Sequence, residues 1–169
     1  MQKDKTETQK EPLALQFVFG EDTTSPNTFH LHEQYLGKEG FEAHTKTPHF
    51  LEWQTFTESN PFVEGGEPVV DFFFGTHEPK KIPHREAYCL NVELCIEPSF
   101  RGEFMKVIEN NSKGSNNDEP LCLQYDYGES PTESNTFYFH EQYTGSDDGK
   151  EGFDAHSKSP HFQVWEEFA

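Results

Sequence analysis

Apolar and polar residues alternate along several short stretches of the chain, and a period of two residues predicts β-strands. The stretches with this period are 13–19, 28–35, 88–96 and 121–127. Within 28–35, the acidic side chain of Glu33 falls on the same face as Leu31 and Tyr35. The apolar run 69–74 predicts one more strand, which would close the first half of the molecule, serve as the closing strand of the second half, or pair between the two halves.

Other stretches have a helical period. Phe41 and His44 lie three residues apart and point to one side of a short helix predicted within 38–46. A longer helix is predicted over 98–114, with Gly114 as its stop. Two further short helices should begin at Ser/Thr–Pro pairs, because such pairs are typical of an N-cap followed by proline in the first turn. These pairs are Thr47–Pro48 and Ser159–Pro160.

These segments occur twice, which predicts two copies of one supersecondary unit. Residues 27–35 return as 135–143, and residues 38–50 return as 150–162. The first unit reads as strand–strand–helix–strand and lacks an opening strand and helix. The second reads as strand–helix–strand–strand–helix and lacks a closing strand. The predicted organisation is a disordered polar tail over 1–10, a first unit over 11–78, a linker over 79–86 and a second unit over 87–169.

Composition limits the class of partner. The chain has 31 acidic and 13 basic residues and a net charge of −18, so its electric field repels nucleic acid and anionic membrane surfaces. No apolar run is long enough to span a bilayer, and no signal-peptide core is present at the N-terminus. Three cysteines without CxxC spacing predict neither a disulfide framework nor a zinc site. We expect a cytoplasmic protein.

The repeated block carries a motif that resembles a known family. A strand ends in Glu-x-Tyr, a helix contains Gly-Phe-(Glu/Asp)-Ala-His, and Pro-His-Phe follows; the motif spans 33–50 and 141–162. It resembles the antibiotic biosynthesis monooxygenase (ABM) domain. The resemblance implies an α+β, ferredoxin-like fold of the dimeric α/β barrel type, with ABM units associating between chains or as a pseudo-dimer of the two repeats.

The resemblance also implies an activity. Members of this family oxidise small aromatic or quinol substrates with O2, often without metal or organic cofactor, so a monooxygenase with no cofactor is expected. The alternative is a non-catalytic ABM module that binds a hydrophobic small molecule or self-associates, because fold alone does not fix function.

Each copy of the motif contains a histidine and a glutamate suited to acid–base chemistry. His44 and His156 lie one turn from a packing phenylalanine, and histidine titrates near neutral pH, so each could take a proton from a bound phenol. Glu33 and Glu141 lie on aromatic strand faces, where a carboxylate is paired or has a raised pKa. We expect Glu33 to pair with His44, and Glu141 with His156, either as a catalytic couple or as a buried structural pair.

Other side chains complete the predicted site. Haem-degrading relatives use an asparagine on the first strand, and Asn91 stands at the comparable place, although their other haem-site residues have no match here. The side chains predicted to contact a flat substrate, or alternatively to pack in the core, are Tyr35, Tyr143, Phe50, Phe162, Trp53, Trp165, His49 and His161. His30 and His32 share a strand face, but no third ligand follows at a recognisable spacing, so no metal site is predicted.

Overall fold

The computed structural model describes residues 2–76 and 87–169, so the predicted linker over 79–86 lies outside the described residues. The chain forms two compact units, Met1–Val69 and Val70–Ala169. The first unit therefore ends at Val69 and not at residue 78. In the described part of the chain, no helix has the length and apolar character needed to cross a membrane.

Within the described residues, the first unit has two strands and three helices. Its elements are α1 (Gln2–Thr8), β1 (Ala14–Glu21), β2 (Phe29–Tyr35), α2 (Gly37–His44) and α3 (Pro48–Glu58). β1 and β2 pair in antiparallel fashion, with Phe17 opposite Glu33. α3 begins as predicted, because the Thr47 side chain accepts a hydrogen bond from the backbone N–H of Phe50.

The N-terminal segment is helical, which corrects the prediction of a disordered tail over 1–10. α1 has no apolar stripe, and polar contacts hold it. Asp4 and Thr8 are buried, and the Thr8 hydroxyl lies 3.4 Å from Nε2 of His49. The sequence shows only that the segment is polar, and polar segments without a partner remain disordered. Its partner on α3 is 41 residues away and cannot be identified from local composition.

The second unit has a three-stranded antiparallel sheet. Its elements are β3 (Tyr88–Cys95), α4 (Arg101–Asp118), β4 (Cys122–Glu129), β5 (Thr136–Tyr143), a single 3-10 turn (Asp147–Gly149), α5 (Lys150–His156) and α6 (Pro160–Phe168). β5 lies in the centre of the sheet, between β3 and β4. The strand–helix–strand–strand–helix order predicted for this unit is therefore the order that is found.

α4 supplies the core of the second unit. Phe104 is fully buried, and its ring centre lies 4.7 Å from that of Phe137 and 6.1 Å from that of Phe168. The helix continues past Gly114, the predicted stop. Glycine at this position permits the close approach of the His161 ring, because a Cβ would lie 2.3 Å from Nδ1 of His161. α1 precedes β1 as the last turns of α4 precede β4. α1 therefore corresponds to the end of α4.

Residues 70–76 belong to the second unit, and no strand forms over the predicted range 69–74. The segment contacts side chains of the sheet. The backbone N–H of Thr76 donates to Oδ1 of Asp126 at 2.6 Å, and the Tyr138 hydroxyl donates to Oδ1 of Asp71 at 3.2 Å. The apolar run suggested a strand, but a strand needs a neighbouring backbone with which to pair. The prediction of a closing strand is wrong.

Candidate functional site

One glutamate and two histidines meet beside β4, α5 and α6 of the second unit. Oε1 of Glu119 accepts hydrogen bonds from Nδ1 of His156 at 2.9 Å and from Nε2 of His161. The His156 side chain is 1% exposed, and the side chains of Glu119 and His161 are largely buried. α5 ends at His156, and the cap of α6 follows at Ser159, which brings both rings to one carboxylate. The cluster therefore ties the entry to β4 to both C-terminal helices.

The first unit repeats this cluster. Oε1 of Glu11 lies 2.8 Å from Nδ1 of His44 and 2.8 Å from Nε2 of His49. Glu33, the predicted partner, lies 3.9 Å from Nε2 of His44, which is too long for a hydrogen bond. Glu33 and His44 lie within ion-pair distance of each other, but the carboxylate that is hydrogen-bonded to the histidine is that of Glu11.

The strand glutamates bond to tyrosines. The Tyr35 hydroxyl donates to Oε2 of Glu33 at 2.8 Å, and the Tyr143 hydroxyl donates to Oε2 of Glu141 at 2.6 Å. Glu141 is bonded to Tyr143, and the carboxylate that is hydrogen-bonded to His156 is that of Glu119. Burial raises the pKa of both glutamates although the tyrosine hydrogen bonds act against it. Burial also raises the pKa of both tyrosines.

Aromatic side chains fill the space around His156. Its ring centre lies 4.9 Å from that of Phe162 and 5.3 Å from that of Tyr143. Trp165 packs on Phe104, with ring centres 6.2 Å apart. These three predicted ligand-contacting residues are therefore packed within the second unit. His156 does not reach the surface from which a substrate would approach.

Asn91 lies on the opposite face of the sheet from His156. Its Oδ1 accepts a hydrogen bond from Nδ1 of His140 at 2.8 Å, which leaves Nε2 of that ring to accept one from Nε2 of Gln142 at 2.8 Å. The structure therefore does not bring Asn91 together with the other predicted catalytic residues.

The corresponding strands of the two units differ in exposure. In the second unit, Phe137 and Phe139 on β5 are 1% and 4% exposed, because Phe104 of α4 packs on both. Their counterparts in the repeat, Phe29 and Leu31 on β2, are 53% and 40% exposed. The first unit has no counterpart of Phe104 among its described residues.

α3 carries two more aromatic side chains, and the repeat assigns them to the same side as Phe29 and Leu31. Phe56 is 51% exposed, and its ring centre lies 5.6 Å from that of Trp53. They correspond to Phe168 and Trp165, which both pack on the Phe104 ring. We call the set Phe29, Leu31, Trp53 and Phe56 the open apolar face.

Glu11 and Glu119 are the residues that sequence reasoning missed. Each begins a Glu-Pro-Leu triplet, and the triplets occupy equivalent positions in the two copies. A buried histidine needs a hydrogen-bond partner, so a duplicated glutamate before the first repeated strand was an available signal. Glu33 and Glu141 drew the prediction because the period of a strand is visible in sequence, whereas the path of a loop is not.

The sequence profile of one family, antibiotic biosynthesis monooxygenase, matches residues 3–55 and 87–167. The match covers more than half of the chain and reaches into both units. The chain belongs to the antibiotic biosynthesis monooxygenase family. The ABM match confirms the family resemblance seen in the repeated motif, and its first segment includes α1. A comparison with curated proteins finds no match.

Solved structures with the ABM fold include two monooxygenase candidates. One, from Lactobacillus acidophilus, superposes with a TM-score of 0.79 and 16% identity, over 99% of this chain and 76% of that chain. The other, from Fusobacterium nucleatum, gives a TM-score of 0.77 and 16% identity, over 97% of this chain and 73% of that chain. At this identity the likeness shows the fold alone. It confirms the predicted α+β, ferredoxin-like fold in tandem copies.

Proposed function

We propose that this ABM protein oxidises a small aromatic or quinol substrate with O2, and that the substrate binds to the open apolar face of the first unit. The difference in exposure between Phe29 and Phe137, 53% against 1%, carries the proposal. In the second unit the ring of Phe104 covers the corresponding side chains. In the second unit an aromatic ring covers this position, and in the first unit a planar aromatic ligand would cover the open apolar face in the same way.

Glu33 supplies a polar group next to this face. It follows Leu31 on the same side of β2, and its side chain is 27% exposed, whereas Glu141 is buried in the second unit. Tyr35 bonds to Oε2 of Glu33, which leaves Oε1 for a hydroxyl of the substrate. We assign Glu33 as the group that takes the substrate proton, with Tyr35 fixing its orientation.

The proposed reaction needs no other reductant. After loss of a proton to Glu33, an electron-rich anthrone anion passes electrons to O2. In the full reaction a ring methylene becomes a carbonyl: one oxygen atom enters the new C=O bond, and the other leaves as water with the two methylene hydrogens. The substrate thereby supplies all four electrons that O2 accepts.

A binding function without catalysis is the second candidate. The side chains of His44 and His156 are each 1% exposed and are hydrogen-bonded to Glu11 and Glu119. Histidines with such buried hydrogen bonds stabilise the fold of a domain and do not contact a ligand. Family membership supports small-molecule binding and self-association in either case.

Oxygen uptake with a panel of anthrones and quinols tests catalysis. Glu33→Gln should reduce turnover at least tenfold, whereas Glu42→Gln on the outer side of α2 should leave it unchanged. Equal turnover in Glu33→Gln and the wild type would reject the assigned role. If no substrate supports uptake but ligands still bind, the second candidate is correct.

Binding can be measured separately through Trp53. Trp165→Phe leaves Trp53 as the sole tryptophan, since the chain has two, and a substrate on the open apolar face should quench its fluorescence. Leu31→Lys should weaken this binding at least tenfold. Leu51→Lys is the matched control, because Leu51 is 48% exposed and lies outside that face. Equal effects of the two lysines would place the ligand elsewhere.

A further inference from the structure

Four potential metal ligands converge in the first unit. Oε1 of Glu11 lies 2.8 Å from both Nδ1 of His44 and Nε2 of His49, and Oδ1 of Asp4 lies 3.8 Å from Nε2 of His49. The ligand atoms of Asp4, His44 and His49 all lie within 4.8 Å of one another. Ligand atoms of a tetrahedral zinc site, with bonds of about 2.0–2.1 Å, are about 3.4 Å apart. The three distances from Glu11 and Asp4 to the histidine nitrogens differ from that value by about 0.4–0.6 Å.

Hydrogen bonding does not complete this arrangement. Oδ1 of Asp4 is buried and has no hydrogen-bond partner among the described residues, and Asp4 as a whole is 9% exposed. A buried carboxylate oxygen without a partner is destabilising. One oxygen of Glu11, by contrast, accepts hydrogen bonds from two imidazoles. An ion among the four side chains would satisfy both carboxylates.

The charges also favour a divalent cation. Asp4 and Glu11 bring two negative charges to histidines whose side chains are 1% and 9% exposed. Protonating both histidines would balance the charge but leave Asp4 at 3.8 Å without a hydrogen bond. A zinc ion with two neutral imidazoles and two carboxylates is neutral overall and uses every donor.

We propose that Asp4, Glu11, His44 and His49 bind one Zn²⁺ ion. All four positions are filled by protein side chains, as in structural zinc sites, so no position stays open for a substrate. The ion would fasten α1 to the ends of α2 and α3. This would account for the order of a helix that has no apolar stripe. No metal signal is visible in the sequence, because the four ligands do not follow a compact spacing.

The second unit contains an internal comparison. Its cluster offers three ligands within 4.8 Å of one another, which are Glu119, His156 and His161. A site with three ligands should bind zinc more weakly than a site with four. We therefore expect one tight site per chain and not two equal ones.

The test is calorimetric titration of the chelator-treated full chain with ZnCl2. We expect one tight equivalent, and Asp4→Asn should weaken it at least tenfold. Asp22→Asn is the control, because it removes a carboxylate of the same unit that lies outside the cluster. Co²⁺ should occupy the same site and give the absorption of a tetrahedral complex, which Asp4→Asn should abolish.

Three results would overturn the proposal. They are no binding by the full chain, two sites of equal affinity, and a tight site that Asp4→Asn leaves unchanged. If circular dichroism shows that Asp4→Asn unfolds α1, His49→Gln provides a second variant that keeps Asp4, and it must also lose the tight site. Substrate binding at Trp53 is measured independently, so failure of the zinc site leaves the proposed function standing.

Discussion

The two units share a strand pair and a helix motif and differ in what covers them. In the second unit, the first turns of α4 place Phe104 on Phe137 and Phe139, which become core residues. In the first unit, α1 has seven residues, and Phe29 and Leu31 are 53% and 40% exposed. Nearly the same strand sequence is therefore core in one setting and exposed in the other.

This difference assigns stability mainly to the second unit and the proposed ligand binding to the first. The second unit buries its aromatic residues against each other, and that burial is the main source of its stability. The first unit leaves Phe29, Leu31 and Phe56 between 40% and 53% exposed, and exposed apolar patches are typical of binding sites. In the proposed function, one copy therefore serves as a folded support and the other binds the ligand.

The largest effect should come from removing the ring that distinguishes the two units. Phe104→Ala should destabilise the second unit by about 3–5 kcal/mol, because it leaves a cavity bordered by Phe137, Trp165 and Phe168. Phe56→Ala in the first unit should cost about 1 kcal/mol or less, because that side chain is 51% exposed. Urea denaturation of both variants measures the difference. Similar losses would mean that the open apolar face is covered in solution.

The fold was largely predictable because periodicity and duplication are local signals. The strand periods located β1 to β4, the repeat located β5, and the Ser/Thr–Pro pairs located α3 and α6. The errors arose where the deciding contact is distant in sequence. α1 depends on His49, and residues 70–76 contact side chains of the sheet without pairing as a strand.

The candidate site was less predictable for the same reason. The histidines were identified as important from their duplication, but their partner was assigned by strand period to Glu33 and Glu141. The hydrogen-bond partners, Glu11 and Glu119, lie outside the strands, in segments whose path depends on the whole unit. The open apolar face could not be predicted either, since Phe29 and Phe137 have the same local sequence and differ only in the helix above them.

The next effect tests the cluster that both units share. Glu119→Gln should destabilise the second unit by about 2 kcal/mol at pH 7, because charge-assisted hydrogen bonds from His156 and His161 are lost. Burial alone would raise the pKa of Glu119, but those two hydrogen bonds outweigh it and lower the pKa. A lowered pKa contributes stability above the unfolded value of about 4.3, and this contribution is lost as pH falls through the folded value.

The measurement is the free energy of unfolding of the wild type and Glu119→Gln between pH 7 and pH 3. The gap between them should be widest at pH 7 and should narrow below about pH 4 as the wild-type carboxylate is protonated. A gap that is constant with pH would show that shape, and not charge, holds the histidines.

A smaller effect of opposite sign is expected at the strand glutamates. Burial raises the pKa of Glu141, so its contribution to stability is present below about pH 4.3 and is lost as pH rises through the folded value. Glu141→Gln should therefore stabilise the protein by about 1 kcal/mol at pH 7, since the amide oxygen still accepts from Tyr143. Glu33→Gln should stabilise less, because the Glu33 side chain is 27% exposed. Equal gains from the two variants, measured by denaturation at pH 7, would contradict the difference in burial.

The smallest predicted effect on stability concerns the cation that lies over an aromatic ring in each unit. Lys5 of α1 lies 5.7 Å from the ring centre of Phe19, and Arg101 of α4 lies 5.4 Å from that of Phe137. Lys5→Gln should cost about 0.5 kcal/mol, whereas Arg101→Gln should cost about 1 kcal/mol, because the arginine also bonds to Glu129. If Lys5→Gln proves the more costly when both are measured by urea denaturation, α1 stabilises the first unit more than its polar contacts indicate. A bound ion at the adjacent carboxylates would be the physical reason.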